Sequence, residues 1–437
     1  TGQMAGVLGI DEAGDPVTPY DSWLDSRCAP QLRRIAADHG DLLVTRTGCP
    51  PMLDHAPKMQ WWRDERPAEY ARIRAFVMPG VHVAMRLAGL RGDQAFIDPS
   101  YLHFTGVADG LTGTWSPDLL AALELDGDRM PAIVPSDAIV GEVTAEAAAR
   151  TGLAPGTPVA AGLGDTAAGV LGAGIVRPGQ LLDTAGTAAV LIGSVDAFCP
   201  DPRQGLMVMR GVFERQYLPL NYVAGGGLCM PWLLDLTERA PGAERAAALR
   251  RLFAEAEAAP LGADGLVFLP HVEGRMAPHD PEMRGGWLGM SLAHSRGHLA
   301  RSMLEAIAFE YATYLTAMRR CHPGVAFDEA RAIGGGARSM LWNRIKADVL
   351  GVRVERVAAE ETATRGAALI AAAGAGLLED LAAVAGDAPT VDPVEPDADR
   401  HARYAPLAER YAAVVELVSA HGDLLNLHPK PERHLVA

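Results

Sequence analysis

Positive charge is in short supply in this sequence. Lys and Arg total 39 against 54 Asp and Glu, a formal charge of −15. No run of Lys or Arg makes a local exception. Binding to a phosphate backbone needs clustered positive charge, so a nucleic-acid partner is disfavoured. Cysteine is scarce as well: Cys28, Cys49, Cys199, Cys229 and Cys321 are widely spaced and include no Cys-x-x-Cys. That odd, scattered set excludes a disulfide framework or a cysteine zinc knuckle and suits a reducing cytoplasm. Long apolar runs are missing too. The charge-poor stretch from Gly366 to Leu378 falls short of the ~20 residues a membrane-spanning helix needs, so no membrane partner is expected. No secretory signal pattern is visible at the start. No Gly-x-x-x-x-Gly-Lys-Ser/Thr occurs, which excludes a P-loop.

What is present is ordinary globular material. A chain of 437 residues with 49% hydrophobic and 21% charged residues has length for two or three domains. It can bury a large core without a metal or disulfide staple. Ala68 to Leu87 has helix-compatible spacing, broken at Pro79-Gly80. Thr144 reads as the N-cap of a helix over Ala145 to Arg150, with Gly152 as its stop. After a turn at Pro155 to Pro158, Val159 to Ala161 reads as a short buried strand. Gly162-Leu163-Gly164-Asp165-Thr166 follows and leads into a small-residue helix over Ala167 to Gly174. Gln180 to Asp183 and Ala188 to Ile192 read as strands joined through Thr184-Ala185-Gly186-Thr187, a hairpin candidate.

The later half carries the strongest helix, His298 to Arg320, with apolar residues at three-and-four spacing. Then come a strand at Ala330 to Ile333, a tight loop at Gly334-Gly335-Gly336, and a helix over Ser339 to Leu350. An alternating strand at Val352 to Val357 and a second small-residue helix from Thr362 to Gly376 complete an α/β order. Tyr404 to Val418 has a helical stripe, and the Asp- and Pro-rich stretch Asp387 to Asp399 reads as a surface connection.

Several of these motifs invite chemistry. Gly162-Leu163-Gly164 looks like half of a dinucleotide fingerprint, but Asp165 stands where a pyrophosphate would need neutral donors. Asp165 can be an N-cap. It can also be a carboxylate at the mouth of a sheet, able to take a proton from a hydroxyl nucleophile. Gly186-Thr187 can be a plain turn, or a loop offering N–H groups and a hydroxyl to phosphate. Three consecutive glycines at Gly334 to Gly336 carry an entropic penalty, which favours a functional reason such as a nucleotide lying on bare backbone. His294 and His298 stand at i, i+4 but lack a His-Glu-x-x-His setting, so they read as ordinary polar histidines and no metal ligand is assigned. Trp61 and Trp62 read as core or cleft wall.

Taken together, the motifs resemble those of the FGGY carbohydrate kinases, most closely the xylulokinase-like branch. Gly285-Gly286-Trp287-Leu288-Gly289-Met290 followed by His298 to Glu305 resembles that family's C-terminal signature. Pro57-Lys58-Met59-Gln60-Trp61 resembles its N-terminal signature. Gly162 to Gly174 resembles the segment with the catalytic Asp. Gly334 to Ser339, with Trp342 and Asn343, resembles the adenosine motif. Gly2-Gln3-Met4 and Trp23 to Arg27 resemble the sugar-binding edge.

The resemblance covers nearly the whole chain. It implies an α/β protein of two actin-like (ribonuclease H-like) ATPase domains flanking a deep cleft. The first, residues 1–177, would bind sugar; the second, residues 178–437, would bind ATP. The reaction implied is transfer of the ATP γ-phosphate, with Mg²⁺, to a hydroxyl of a ketose or polyol, a pentulose such as xylulose. Asp165 would be the general base, with Met4, Ala5, Asp54, His55 and Thr166 around the sugar. Gly186 and Thr187 would cradle phosphates, while Gly334, Gly335, Gly336, Ala337 and Asn343 would hold the adenosine. A homodimer is the default oligomer.

Three departures accompany the match. The family's opening Asp-x-Gly-Thr/Ser hairpin does not occur here, and the chain starts at Thr1, so the first domain is expected to lack its first strands. Ala5 follows Met4 where xylulokinases have His. Gly274-Arg275-Met276-Ala277-Pro278 replaces Gly-Glu-Arg-Thr-Pro, an expected charge reversal near the cleft. The alternative readings on the same fold are a non-catalytic sugar or nucleotide sensor and an actin-like ATPase of the chaperone or cytoskeletal kind.

Overall fold

The structure, a computed structural model, describes residues 1–421 apart from 204, 239, 240, 277, 281 and 282. Ala277 and residues 422–437 of the expected second domain therefore lie outside the described residues. The later half is built on one seven-stranded sheet. Its middle strand, Gln180–Ala185, pairs antiparallel with Ala189–Gly193 through the expected hairpin and parallel with Glu329–Ile333 on its other side. Tyr217–Val223 and Met207–Arg210 extend the sheet on the hairpin side. Arg353–Val357 and Thr390–Val394 extend it on the other. The long helix Arg296–Cys321 and the helices Met340–Leu350 and Ala398–Ala420 pack with this sheet around one apolar core that includes Tyr311, Trp342, Tyr404 and Tyr411. The earlier half arranges its strands as two-stranded pairs, among them Leu8–Ile10 with Ala75–Val77.

Two expectations need correction. Ala68 to Leu87 breaks earlier than the expected point at Pro79-Gly80: Pro67–Arg72 is a helical turn and a half, Ala75–Val77 is a fully buried strand, and Pro79–Ala88 is a new helix. Both prolines sit in the first turn of a helix, where a missing N–H costs nothing. Asp387 to Asp399 is not a bare connection, because it contains strand Thr390–Val394. Pro393 is tolerated there because the strand is at the sheet edge, with no outer neighbour among the described residues.

The two halves meet where two small-residue helices cross, Asp165–Gly172 and Thr362–Gly374. A Cβ on Gly172 would stand 1.8 Å from the Thr362 carbonyl oxygen, and one on Gly366 2.0 Å from that of Ala168. The backbones touch because these side chains are absent. Arg365 then donates to the Gly172 carbonyl at 2.9 Å. Among the described residues, no helix is long and apolar enough to cross a membrane.

Candidate active site

Asp165 is the first residue of its helix; Gly164 holds the N-cap position, so the capping role read from the sequence is not the one Asp165 plays. Its carboxylate turns to its neighbour, accepting from the Thr166 N–H at 2.7 Å and more weakly from the Thr166 hydroxyl at 3.4 Å. The residue is exposed to solvent. The protein mass around the carboxyl still raises its pKa by desolvation, with the Thr166 hydrogen bonds pulling the other way. A carboxylate with a raised pKa and an open side is suited to accept a hydroxyl proton.

The opening segment of the chain lies against this position. Gly2 bridges to Gly164, and the Gly2 carbonyl accepts from the Asp165 N–H at 3.0 Å and from the Tyr101 hydroxyl at 3.2 Å. Met4 is buried with its side chain packed on Gly164, where a Cβ would fall 2.8 Å from it. His55 is buried behind Met4 and donates through Nε2 to the Met4 carbonyl at 2.8 Å. Lys58, also buried, donates to the carbonyls of Ala5 at 2.9 Å and Leu53. Asp54 is buried beside it, its pKa raised by burial against the pull of Lys58, and its Oδ1 has no hydrogen-bond partner among the described residues.

Met4, Asp54 and His55 thus form a buried layer rather than an exposed wall. Ala5, Asp165 and Thr166 are the predicted residues of this group that reach solvent. Tyr20 and Gln3 join them: the Tyr20 hydroxyl donates to Gln3 Oε1, and the phenol lies over Gly6. The Tyr20 hydroxyl has its pKa pushed up to about 12, by burial first and then by the charges of Asp165 and Asp21. Tyr20 was not foreseen from the sequence.

The segment Trp23 to Arg27 is tied to the same structure. The Arg27 guanidinium pairs with Asp21 and Asp25 and lies 4.4 Å from the Trp61 ring centre, while the Trp62 indole donates to Asp21. Trp62 belongs to a buried apolar cluster, with Trp61 packed against it. Arg275 does not place a free positive charge at the sugar residues. Its guanidinium is committed to Glu416 at 3.2 Å. His298 caps its own helix through Ser295 and faces Asp264, with His294 outside that helix. Among the described residues, no group of three His, Cys, Asp or Glu side chains could hold a metal ion.

The nucleotide-side candidates converge separately. Gly186 and Thr187 are exposed at the tip of the central hairpin. Gly334 has φ +85°, a conformation that favours glycine, and a Cβ there would lie 2.9 Å from the Ala185 oxygen. A Cβ on Gly336 would strike Ala185 Cβ and the Trp342 ring, whereas Gly335 faces open space. Ala337 is buried, and its carbonyl accepts from Asn343 Nδ2 at 2.8 Å, while the buried Asn343 Oδ1 has no partner among the described residues. A third glycine turn completes the group: Gly225 has φ +76°, and a Cβ on Gly227 would sit 1.5 Å from the Gly186 oxygen. The run Gly225-Gly226-Gly227 was missed, although the reasoning applied to Gly334 to Gly336 finds it.

Beneath these turns Lys346 forms an ion pair with Asp183, which also accepts from the Tyr311 hydroxyl at 2.8 Å. All three side chains are buried, and burial lowers the Lys346 pKa. One half of the molecule thus carries an exposed carboxylate at a helix start, and the other carries turns of bare glycine backbone. That is the division of labour of a two-domain, actin-like phosphotransferase.

Comparison with known proteins agrees. Residues 1–172 match the family model described as the N-terminal domain of the FGGY family of carbohydrate kinases, and residues 184–375 match its C-terminal domain. A xylulose kinase of Bacillus subtilis is 29% identical over 87% of this chain and 74% of its own length. A gluconokinase of Bacillus licheniformis is 26% identical over 86% and 74%. The solved xylulose kinase of Rhodospirillum rubrum superposes with a TM-score of 0.86, at 31% identity, over 96% of this chain and 84% of that one. The chain belongs to the FGGY family of carbohydrate kinases. As a kinase of this family it takes ATP as phosphoryl donor and a small sugar as acceptor.

Proposed function

We propose that the acceptor is a ketose or polyol, in the first instance a pentulose such as xylulose, and that Asp165 takes the proton from its attacking hydroxyl. The observation that carries this reading is Asp165 itself: a solvent-facing carboxylate of raised pKa on the first turn of a helix, beside the edge formed by residues 2–6. Met4, Ala5, Asp54, His55 and Thr166 shape the sugar side, the buried ones by fixing the backbone of the exposed ones. Gly186 and Thr187 offer donors to the phosphates, and Gly334, Gly335, Gly336, Ala337 and Asn343 receive the adenosine. The domain boundary falls after residue 177, with sugar bound by 1–177 and ATP by 178–437. Relatives named xylulose kinase and gluconokinase both support a carbohydrate acceptor of this size.

Phosphoryl transfer needs in-line positioning, neutralised phosphate charge and a base at the nucleophile. Mg²⁺ supplies part of that neutralisation when bound. An exposed carboxylate fits a cation that arrives with ATP, since Mg²⁺ is commonly held by one or two carboxylates plus substrate phosphates. Asp165 is the exposed carboxylate of the candidate set that would contribute. We place the protein in the cytoplasm, as a homodimer.

The test is sugar-dependent ADP release across a panel of ketoses, polyols and aldonates, on protein expressed from the full reading frame. Release that depends on one pentulose is expected. Asp165→Asn should lower turnover by about 10²–10⁴ while leaving the melting temperature within a few degrees; unchanged turnover would sink the base assignment. Binding of sugar with no phosphorylation of any panel member would favour a sensor.

A further inference from the structure

Asp165 follows a tripeptide, Gly162-Leu163-Gly164, whose glycines leave it intrinsically loose. Yet both ends of that tripeptide are held. The Ser136 carbonyl accepts from the Gly162 N–H at 2.9 Å. The Ser136 hydroxyl donates to Asp98 Oδ2 at 2.7 Å. Asp98 Oδ1 accepts from the Ser100 hydroxyl at 3.0 Å, and Oδ2 from the Ser100 N–H at 3.0 Å. The Ser100 hydroxyl in turn accepts from the Gly164 N–H at 2.8 Å. The bonds close a ring, Gly162–Ser136–Asp98–Ser100–Gly164, with Asp165 as the next residue. Asp98, Ser100 and Ser136 are all buried. The following residue, Tyr101, donates to the Gly2 carbonyl, which also accepts from the Asp165 N–H.

We infer that Asp98, Ser100 and Ser136 are positioning residues that fix the aim of Asp165 at the sugar hydroxyl. The inference rests on the reading of Asp165 as base and adds the device that orients it. The Asp98 carboxylate caps the short helix Pro99–Phe104 through the Ser100 N–H, and in the same contact it sets the rotamer of Ser100 so that the hydroxyl offers its lone pair to Gly164. Direction is the point: the Ser100 proton goes to Asp98, which leaves Ser100 Oγ an acceptor for a backbone N–H that would otherwise be buried and unpaired. None of the three side chains touches Thr166 or the exposed face of Asp165 in the hydrogen-bond network, so each acts through the backbone alone.

The experiment is a double-mutant cycle between Ser100→Ala and Asp165→Asn, followed by kcat and KM, with amide hydrogen exchange at Gly164 as a readout independent of activity. Ser100→Ala removes one oxygen and leaves Asp98 its bonds to Ser136 and to the Ser100 N–H. Loss of aim should lower kcat by about 10- to 100-fold with the KM values for sugar and ATP within about twofold. In the Asp165→Asn background the same change should have no further effect, because the residue it acts through is gone. Exchange at Gly164 should accelerate by at least about tenfold, and Ser100→Thr, which keeps the hydroxyl, should restore both kcat and protection. Should Ser100→Ala fail to fold, Asp98→Asn, which removes one acceptor oxygen, takes its place in the cycle with the same expectations. Equal slowing in both backgrounds, kcat within about twofold of the parent, or unchanged Gly164 protection overturns the inference. If the parent shows no sugar-dependent turnover, the kinase reading of Asp165 fails instead, and Gly164 protection still decides whether the ring exists.

Discussion

Replacing Lys346 by Met should be among the most damaging single changes outside the site itself. The Lys346 ammonium and the Asp183 carboxylate are a buried pair, their side chains 1% and 3% exposed. Met keeps the stem's length and apolar packing but deletes the charge. Asp183 would then be a buried carboxylate with, among the described residues, the Tyr311 hydroxyl as its remaining side-chain partner. Leaving one charge of a buried pair uncompensated costs about 3–5 kcal/mol. The ammonium also lies 4.0 Å from the Trp342 ring centre, and that cation–π attraction goes with it. At roughly 2–4 °C per kcal/mol for a unit of this size, calorimetry should show the melting temperature of the second domain fall by about 6–20 °C. The double change Lys346→Met with Asp183→Leu removes both charges and should recover most of the loss. Because Asp183 lies on the strand that carries Gly186 and Lys346 on the helix behind Gly336, the KM for ATP should rise in the single variant. A melting temperature within about 2 °C of the parent, or a double variant no better than the single, would refute the account of the pair.

Two further outcomes follow from the geometry. Gly366→Leu should destabilise by about 3 kcal/mol or more, since its Cβ would land 2.0 Å from the Ala168 oxygen and neither backbone has anywhere to move; a variant that melts with the parent would show that the helix crossing is looser than described. His55 is buried with its pKa lowered to about 4 by desolvation, against about 6.5 when unfolded. A depressed folded pKa means its stabilising share is complete above pH ~6.5 and is lost as pH falls toward 4, a change of about 3 kcal/mol. Urea midpoints measured across that window should decline, and His55→Gln should flatten the decline; an unaltered slope would remove His55 as its source.

How much of this was legible beforehand differs between the halves for physical reasons. In the second half several elements announce themselves locally: the hairpin around Gly186, the stripe of the helix Arg296–Cys321, the glycine turn at Gly334. The strand Thr390–Val394 hid because an edge strand tolerates Pro393 and exposed Asp392, the residues that usually mark a loop. Ala75–Val77 hid because three buried apolar residues between two proline-started helices have no period of their own. The ring around Asp98 was illegible for a different reason. Its members stand at 98, 100, 136, 162 and 164 in short turns, and only the fold closes the distance. The burial of Met4, Asp54 and His55 belongs to the same class: the resemblance named them, but only packing tells whether a named residue faces a ligand or props up one that does.

That distinction bears on what the acceptor meets. If Met4, Asp54 and His55 stand behind the surface, then the groups a sugar touches on this side come from Gln3, Ala5, Tyr20, Asp165 and Thr166. Ala5 offers a methyl where xylulokinase-like relatives have an imidazole. Tyr20 places a phenol over Gly6 and within the field of Asp165. Tyr20 supplies a polar group at this edge, with its proton given to Gln3. A hydroxyl so engaged is left as an acceptor, whereas an imidazole could also donate. The expected consequence is selection for an acceptor that presents a hydroxyl donor toward Tyr20, and a ranking of substrates that differs from that of enzymes with His at this position.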